Sequence, residues 1–321
     1  MFLSEVPKSL LLAFAIPLGL VFGSFLNVVI YRLPRGENIA YPGSACPGCG
    51  APIPAYHNIP VLSWLVLRGK ASCCGARIGA RYPLVELLGG LAAFAIVEAV
   101  LPRLADDTSV LLGVLVFALH LALSLGLIAA AFIDLEHLFL PDEITLGGAA
   151  LGLLSTWPRD DVSWTDSLLG AAIGFAIIWV PFDLVYRRLR GRPGMGLGDA
   201  KLLLLAGAWF GWPGALFVLF AGATQGTLVT LALLVSQGQL KEPPALAEQR
   251  EELQRAIDEA EGEEREALLR EQAADPLAQE AEAGLGQARI AFGPFLVLAC
   301  LEYQLFGPWI TSTYHAWMMG L

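Results

Sequence analysis

Residues Leu202–Val235 read LLLLAGAWFGWPGALFVLFAGATQGTLVTLALLV and contain no charged side chain. An apolar run of this length is what a bilayer-spanning helix requires, at ~20 residues per crossing. Gly211-Trp212-Pro213-Gly214 interrupts it. Proline and paired glycines break helices, so the run predicts two short spans, about 200–211 and 213–235.

Six further apolar segments lie outward from it, at about 10–30, 83–101, 109–133, 143–158, 165–186 and 290–309. The first is too long for a signal-peptide core and lacks a small-residue cleavage pattern, so it is expected as a retained helix. The expected fold is an all-α polytopic membrane protein of about eight transmembrane helices. Composition agrees, with 56% hydrophobic and 16% charged residues, far more apolar than a soluble domain of this size needs.

Cytoplasmic loops of membrane proteins carry an excess of Lys and Arg. An N-terminus outside leaves only Lys8, Arg103 and Arg159 of the 20 basic residues on the outer side. With eight spans the C-terminus is also outside. The expected divisions are a first transmembrane helix (1–31), a small cysteine-containing cytoplasmic domain (32–82), a membrane core (83–240), an acidic insertion (241–289) and a last helix with its tail (290–321).

The net charge of −10 is concentrated in that insertion, which holds 14 of the 30 acidic residues against 6 basic ones. It is rich in Glu, Ala, Gln, Arg and Leu, and reads as cytoplasmic helix with a break near Asp275-Pro276. Leu246, Leu253, Ile257, Leu268 and Leu269 form only a broken apolar stripe. Both a solvated appendage and a partner-docking helix fit that pattern. No basic, aromatic-interleaved surface suits nucleic acid.

In the first cytoplasmic loop, Cys46-Pro47-Gly48-Cys49 forms half of a zinc knuckle and Cys73-Cys74 follows, a separation compatible with one tetrahedral sulfur site. Adjacent cysteines reach one metal less readily than a CxxC pair. One of Cys73 and Cys74 is therefore open to being a spectator, with His57 as a replacement ligand. Disulfides are disfavoured in a reducing cytoplasm. Cys300, alone in the last span, reads as packing.

Two aspartates sit at the edges of apolar spans: Asp134 in Phe132-Ile133-Asp134-Leu135-Glu136-His137, and Asp199 in Gly196-Leu197-Gly198-Asp199-Ala200-Lys201. Carboxylates are costly in hydrocarbon, so ionisable groups at such positions read as functional. Both fall at the cytoplasmic face in the expected orientation. A carboxylate pair can hydrolyse a peptide bond when one member takes a proton from water and the other donates to the scissile carbonyl. On helix-dipole grounds Asp199, near a helix N-terminus, is the expected ionised partner and Asp134, near a C-terminus, the protonated one.

These motifs resemble those of the bacterial type IV prepilin peptidases, membrane aspartyl proteases of the GxGD type. Gly23-Ser24-Phe25-Leu26-Asn27-Val28-Val29-Ile30-Tyr31-Arg32-Leu33-Pro34 is similar to the family's N-terminal signature. Asn58-Ile59-Pro60-Val61-Leu62-Ser63-Trp64-Leu65, Arg81-Tyr82-Pro83-Leu84-Val85-Glu86, the two aspartate segments and Phe292-Gly293-Pro294-Phe295 follow in family order. The resemblance implies a bacterial inner-membrane enzyme that removes the leader of prepilins and pseudopilins, with membrane lipid around it. It also implies methylation of the new N-terminus with S-adenosylmethionine, although no residue is assigned to that cofactor and no glycine-rich loop after a strand marks its site. The oligomeric state is left open. Two departures stand out: Ala71 occupies the place of a third cysteine, and the insertion replaces a short connection.

Roles for the neighbours follow. Gly196 and Gly198 either let substrate backbone approach Asp199 or serve only to enter the helix. Lys201 either tunes the site or anchors at the headgroups, the latter being usual for lysines at span ends. Glu136 and Asp142 are candidates to attract a basic leader segment, with Asp142 alternatively a helix N-cap. His120 reads as a packed polar residue and His137 as interfacial. A methyltransferase or binding protein without cleavage is disfavoured by the presence of both aspartates. A transporter or scaffold is disfavoured because the polar motifs gather at one face rather than the midplane.

Overall fold

The computed structural model describes residues 1–46, 48–159, 161–190, 196–237, 244–260, 262–274 and 291–318. Among these there is no β-strand, only isolated bridges. The chain runs through α1 (Lys8–Arg32), the short α2 (Leu62–Val66) and α3 (Arg81–Ala99), then α4 (Val110–His137), α5 (Asp142–Leu154) and the single turn α6 (Thr156–Arg159). It continues with α7 (Trp164–Ile178), α8 (Tyr186–Arg190), α9 (Leu197–Gln237), α10 (Pro244–Glu259), α11 (Gly262–Ala274) and α12 (Gly293–Met318).

Among the described residues, five helical stretches are long and apolar enough to cross a membrane: Lys8–Arg35, Arg81–Arg103, Val110–His137, Trp164–Leu189 and Leu197–Ser236. The last contains both spans expected around Gly211, which adopts φ 70° and ψ −177°, a conformation that costs only glycine little. The break is therefore at Gly211, and Pro213 sits in the first turn beyond it, where its missing N–H is tolerated. The segment expected at 143–158 is helical only to Leu154 and then turns into α6. Its 13 residues fall short of a full crossing. A π-helical stretch at Trp179–Val185 joins α7 to α8; Pro181 within it cannot donate to the helical ladder.

Helices in lipid gain nothing from excluding water and pack by close approach of small residues instead. A Cβ added at Gly207 would lie 2.0 Å from the Gly170 carbonyl oxygen, and one at Gly174 would lie 2.2 Å from that of Leu203. These glycines press α7 against the first half of α9. Gly19 and Gly89 do the same for α1 and α3, each approaching the other's carbonyl at 2.4 Å by the same measure. Side chains on the outer faces, such as Phe14 and Leu111, are exposed, as lipid-facing residues are in an isolated chain.

One apolar core joins α4, α5, α7, α9 and α12, and a second joins α1, α3 and α4. Helix α4 belongs to both, so its C-terminal end, which carries Asp134, lies where the two halves of the bundle meet. The insertion is helical over α10 and α11, and α10 contacts α4 while burying Ile257 to 2% exposure. Of the stripe, Ile257 is buried whereas Leu269 is exposed, so the segment is partly packed and partly solvated. The break expected near Asp275-Pro276 lies outside the described residues.

Candidate active site and cysteine cluster

Helix α4 ends at Leu138, which turns into the left-handed region at φ 50° and returns its N–H to the Asp134 carbonyl at 2.9 Å. Such a cap satisfies an end carbonyl and redirects the chain. The following Leu138-Phe139-Leu140-Pro141 turn folds back so that Leu140, 6% exposed, packs beside two glycines. A Cβ at Gly198 would meet the Leu140 Cβ at 3.1 Å, and one at Gly293 would meet its Cδ2 at 3.3 Å. Leu140 is thus the wedge on which the starts of α9 and α12 converge beside the end of α4.

Asp134 is buried, at 6% exposure. Its Oδ2 accepts the backbone N–H of Gly293 at 3.0 Å. Gly293 is the first residue of α12, and Pro294 follows it. The first N–H groups of a helix have no acceptor within it and carry the positive end of its dipole, so they suit a carboxylate. Asp199 is half-buried in the first turn of α9, and Gly198 beside it packs on the same Leu140 that Gly293 touches. The helix-dipole expectation places charge on Asp199, whereas the hydrogen bond falls on Asp134. The two considerations oppose each other, so neither carboxylate is singled out as the ionised one.

The neighbouring acids are already partnered. Glu136 pairs with Arg81 at the start of α3, and Asp142 takes Lys201 Nζ at 2.5 Å. Lys201 thus reaches the start of α5, and Asp142 begins α5 without capping it. Gly196 leaves space beside Asp199: a Cβ there would meet Asp199 Oδ2 first, at 3.4 Å. His120 is buried and bonded to Gln304, its Nδ1 lying 3.2 Å from Nε2 of that amide, in keeping with a packed polar residue. His137 is half-buried.

Sequence reasoning gave no role to Gly293, Leu140 or Arg81. The signal for Gly293 was present in Gly-Pro at a helix start, where unpaired N–H groups are expected. Which carboxylate they would face is a matter of tertiary packing.

The four loop cysteines converge, with Sγ atoms all within 4.8 Å of one another. Cys46 and Cys74 are 3.7 Å apart, and Cys49 and Cys73 are 3.4 Å apart. A tetrahedral ZnS₄ site with bonds of ≈ 2.3 Å places its sulfurs about 3.8 Å apart, so the set fits zinc. Each pair sits on a small knuckle with matching backbone bonds. The Cys46 N–H reaches the Ala51 carbonyl and the Gly50 N–H reaches Cys46, each at 2.8 Å; the Ala71 N–H reaches Ala76 and the Gly75 N–H reaches Ala71, also at 2.8 Å. Ala71 is thus the counterpart of Cys46, and Cys73 supplies the missing thiol from two residues further along. Adjacency does not exclude either cysteine, because the tight turn at Gly75, φ 72°, splays their side chains into one cluster. Hydrogen bonding from the Gly48 backbone, then from the Cys73 thiol, lowers the pKa of Cys46, while the thiols of Cys49 and Cys46 raise that of Cys73. Only with a cation bound would all four be held as thiolates at this spacing. His57 instead bonds Ser72, Nδ1 to Oγ at 2.8 Å, and no replacement ligand is required.

The bacterial peptidase A24 N-terminal domain matches residues 18–100, and the type IV leader peptidase family matches residues 121–231. A prepilin leader peptidase/N-methyltransferase of Myxococcus xanthus (strain DK1622) is 37% identical, over 93% of this chain and 91% of that protein. Proteins with the same description from Aeromonas hydrophila and Neisseria gonorrhoeae are 36% and 35% identical, over 70% and 72% of this chain and 82% and 86% of theirs. No solved structure gives a significant match.

Proposed function

Because this chain belongs to the type IV leader peptidase family, we propose that Asp134 and Asp199 are the catalytic pair of a prepilin leader peptidase that also N-methylates its product. The observation that carries the reading is the convergence of the ends of α4, α9 and α12 around Leu140, which sets two carboxylates from separate motifs beside a helix N-terminus. One proton shared between them leaves one carboxylate to take a proton from water and one acid to donate to the scissile carbonyl. The Gly293 N–H fixes the orientation of Asp134. The space beside Gly196 admits an extended substrate backbone next to Asp199. The Arg81–Glu136 and Lys201–Asp142 pairs brace the ends of α3, α4, α5 and α9 around the pair.

Prepilin and pseudopilin precursors are the proposed substrates, and the bacterial inner membrane the proposed location. The excess of basic residues in the loops supports an N-terminus outside and cleavage at the cytoplasmic face. Cys46, Cys49, Cys73 and Cys74 would hold a structural zinc, which supplies a crosslink between the two knuckles and no step of hydrolysis. Methylation requires S-adenosylmethionine as methyl donor.

Co-expression with a prepilin followed by intact mass measurement tests both activities, reporting leader loss and one added methyl group together. Asp134→Asn and Asp199→Asn keep the side-chain size but cannot exchange the proton, and each should slow leader release by at least ~10²–10⁴-fold. Near wild-type release by both purified variants would sink the aspartyl mechanism. Release without a methyl group would remove only the methylation.

A further inference from the structure

A cavity of about 370 Å³ lies apart from the aspartate pair, between the end of α1, the cysteine-bearing loop and the start of α3. Its size falls in the range of small-molecule sites. Asn27 of α1, 6% exposed, lines it. The Asn27 Nδ2 donates to the Tyr82 carbonyl at 3.2 Å, which fixes the amide orientation and leaves Oδ1 buried without a partner. A buried acceptor left unpaired costs about 1–3 kcal/mol, so this atom calls for a donor from a ligand.

The rest of the wall points to a cation. Glu86 carries no ion pair among the described residues; one of its oxygens accepts the Val61 N–H at 2.7 Å. Val61 is held there at φ 61°, a conformation that costs a β-branched residue about 1–3 kcal/mol and that persists where the surroundings over-determine it. A second carboxylate, Glu37, with His57 and the aromatic residues Tyr31, Tyr82 and Trp64, also lines it; Arg35 lies over the Tyr31 ring and Arg81 over the Tyr82 ring, at 4.1 and 5.3 Å. Aromatic faces with carboxylates are the usual surroundings of organic cations. Arg32, the only Lys or Arg among the described residues of the wall, is turned to the Asn38 and Gly43 carbonyls at 3.1 and 3.4 Å.

We infer that this cavity is the S-adenosylmethionine site, with Asn27 and Glu86 receiving the donor's cationic groups and its N–H groups. The inference rests on the reading of the chain as an N-methyltransferase. S-adenosylmethionine, when bound, gives its methyl to an amine, so that the S–CH₃ bond breaks, an N–CH₃ bond forms, the sulfonium becomes a neutral thioether and the amine proton leaves to water. The position is suited to that sequence of events. Tyr82 and Glu86 follow Arg81 on α3, and Arg81 pairs with Glu136, two residues from Asp134 on α4. The cavity and the aspartate pair thus sit at adjoining helix ends.

The test uses the purified full-length protein in detergent. Ultraviolet crosslinking of radiolabelled S-adenosylmethionine to the wild type should label peptides from within residues 24–46 or 53–86. Equilibrium binding is then compared for S-adenosylmethionine and its neutral thioether product. Glu86→Gln should weaken the cationic donor by ~10–100-fold and the neutral product less, which narrows the ratio of the two affinities. Tyr31→Ala, at an exposed position that no core contact depends on, should weaken donor binding several-fold and guards against a folding effect of the Glu86 change. Label confined to other segments, or unchanged affinities in both variants, overturns the site while leaving methylation standing. A wild type that binds no donor and leaves co-expressed prepilin unmethylated overturns the methyltransferase reading itself.

Discussion

Gly293→Ala isolates what the α12 N-terminus does for the aspartate pair. Gly293 is outside the left-handed region, so alanine fits the backbone, and the added methyl is the whole perturbation. It would lie 2.5 Å from Asp134 Oδ2 and 3.0 Å from its Cγ. To reach ordinary contact the carboxylate must retreat by roughly 1 Å, and a misplacement of that size costs about 10²-fold in rate. The hydrogen bond at 3.0 Å is lost in the same movement; a bond to a charged group is worth about 1.5–3 kcal/mol, or roughly 10–100-fold if realised only when Asp134 is correctly placed. The two routes give a fall in kcat of about 10–100-fold, with a stability loss of up to about 1.5–3 kcal/mol from the same lost bond. Gly198→Ala is the comparison. Its methyl meets the Leu140 Cβ at 3.1 Å and needs only a few tenths of an ångström of relief, so a loss below about 10-fold is expected. The assay is timed leader release from a purified prepilin, with thermal midpoints measured in parallel. A folded Gly293→Ala enzyme cleaving within about threefold of wild type would refute the placement of the α12 N-terminus as the orienting donor.

Other substitutions probe the scaffold. Gly207→Ala would set a methyl 2.0 Å from the Gly170 carbonyl oxygen, forcing α7 and α9 apart, and should lower stability by at least about 1–3 kcal/mol; an unchanged thermal midpoint would contradict the close packing. Cys73→Ser should lose bound zinc, and Ala71→Cys in that background should restore it by moving the thiol to the position that mirrors Cys46. Metal analysis finding no zinc in the wild type would dispose of the metal site. Replacement of residues 243–284 by a Gly/Ser linker should preserve leader cleavage, since no residue given to the site lies in that segment. It should also expose the part of α4 that α10 contacts, seen as faster hydrogen exchange within α4. Loss of cleavage at normal expression would make the insertion part of the substrate path.

The membrane class and most of the apolar helices were legible in the sequence, and the two aspartates stood out as candidates, because each reading rests on local chemistry. An apolar run is long enough to span or it is not, and a carboxylate at its edge stands out against hydrocarbon. The interruption at Gly211 was legible for the same reason, as was the pairing of Cys46 with Cys49. Tertiary structure alone decided which groups meet. That Gly293 donates to Asp134, that Glu136 and Asp142 are held by Arg81 and Lys201, and that Cys73 stands in for a thiol at Ala71 all depend on helix ends distant in sequence arriving together. Pattern along a chain records which side chains prefer lipid, water or a metal. It does not record which acceptor a helix N-terminus will find, because that is fixed by how closely glycines let the helices approach and by where the Leu140 wedge leaves room.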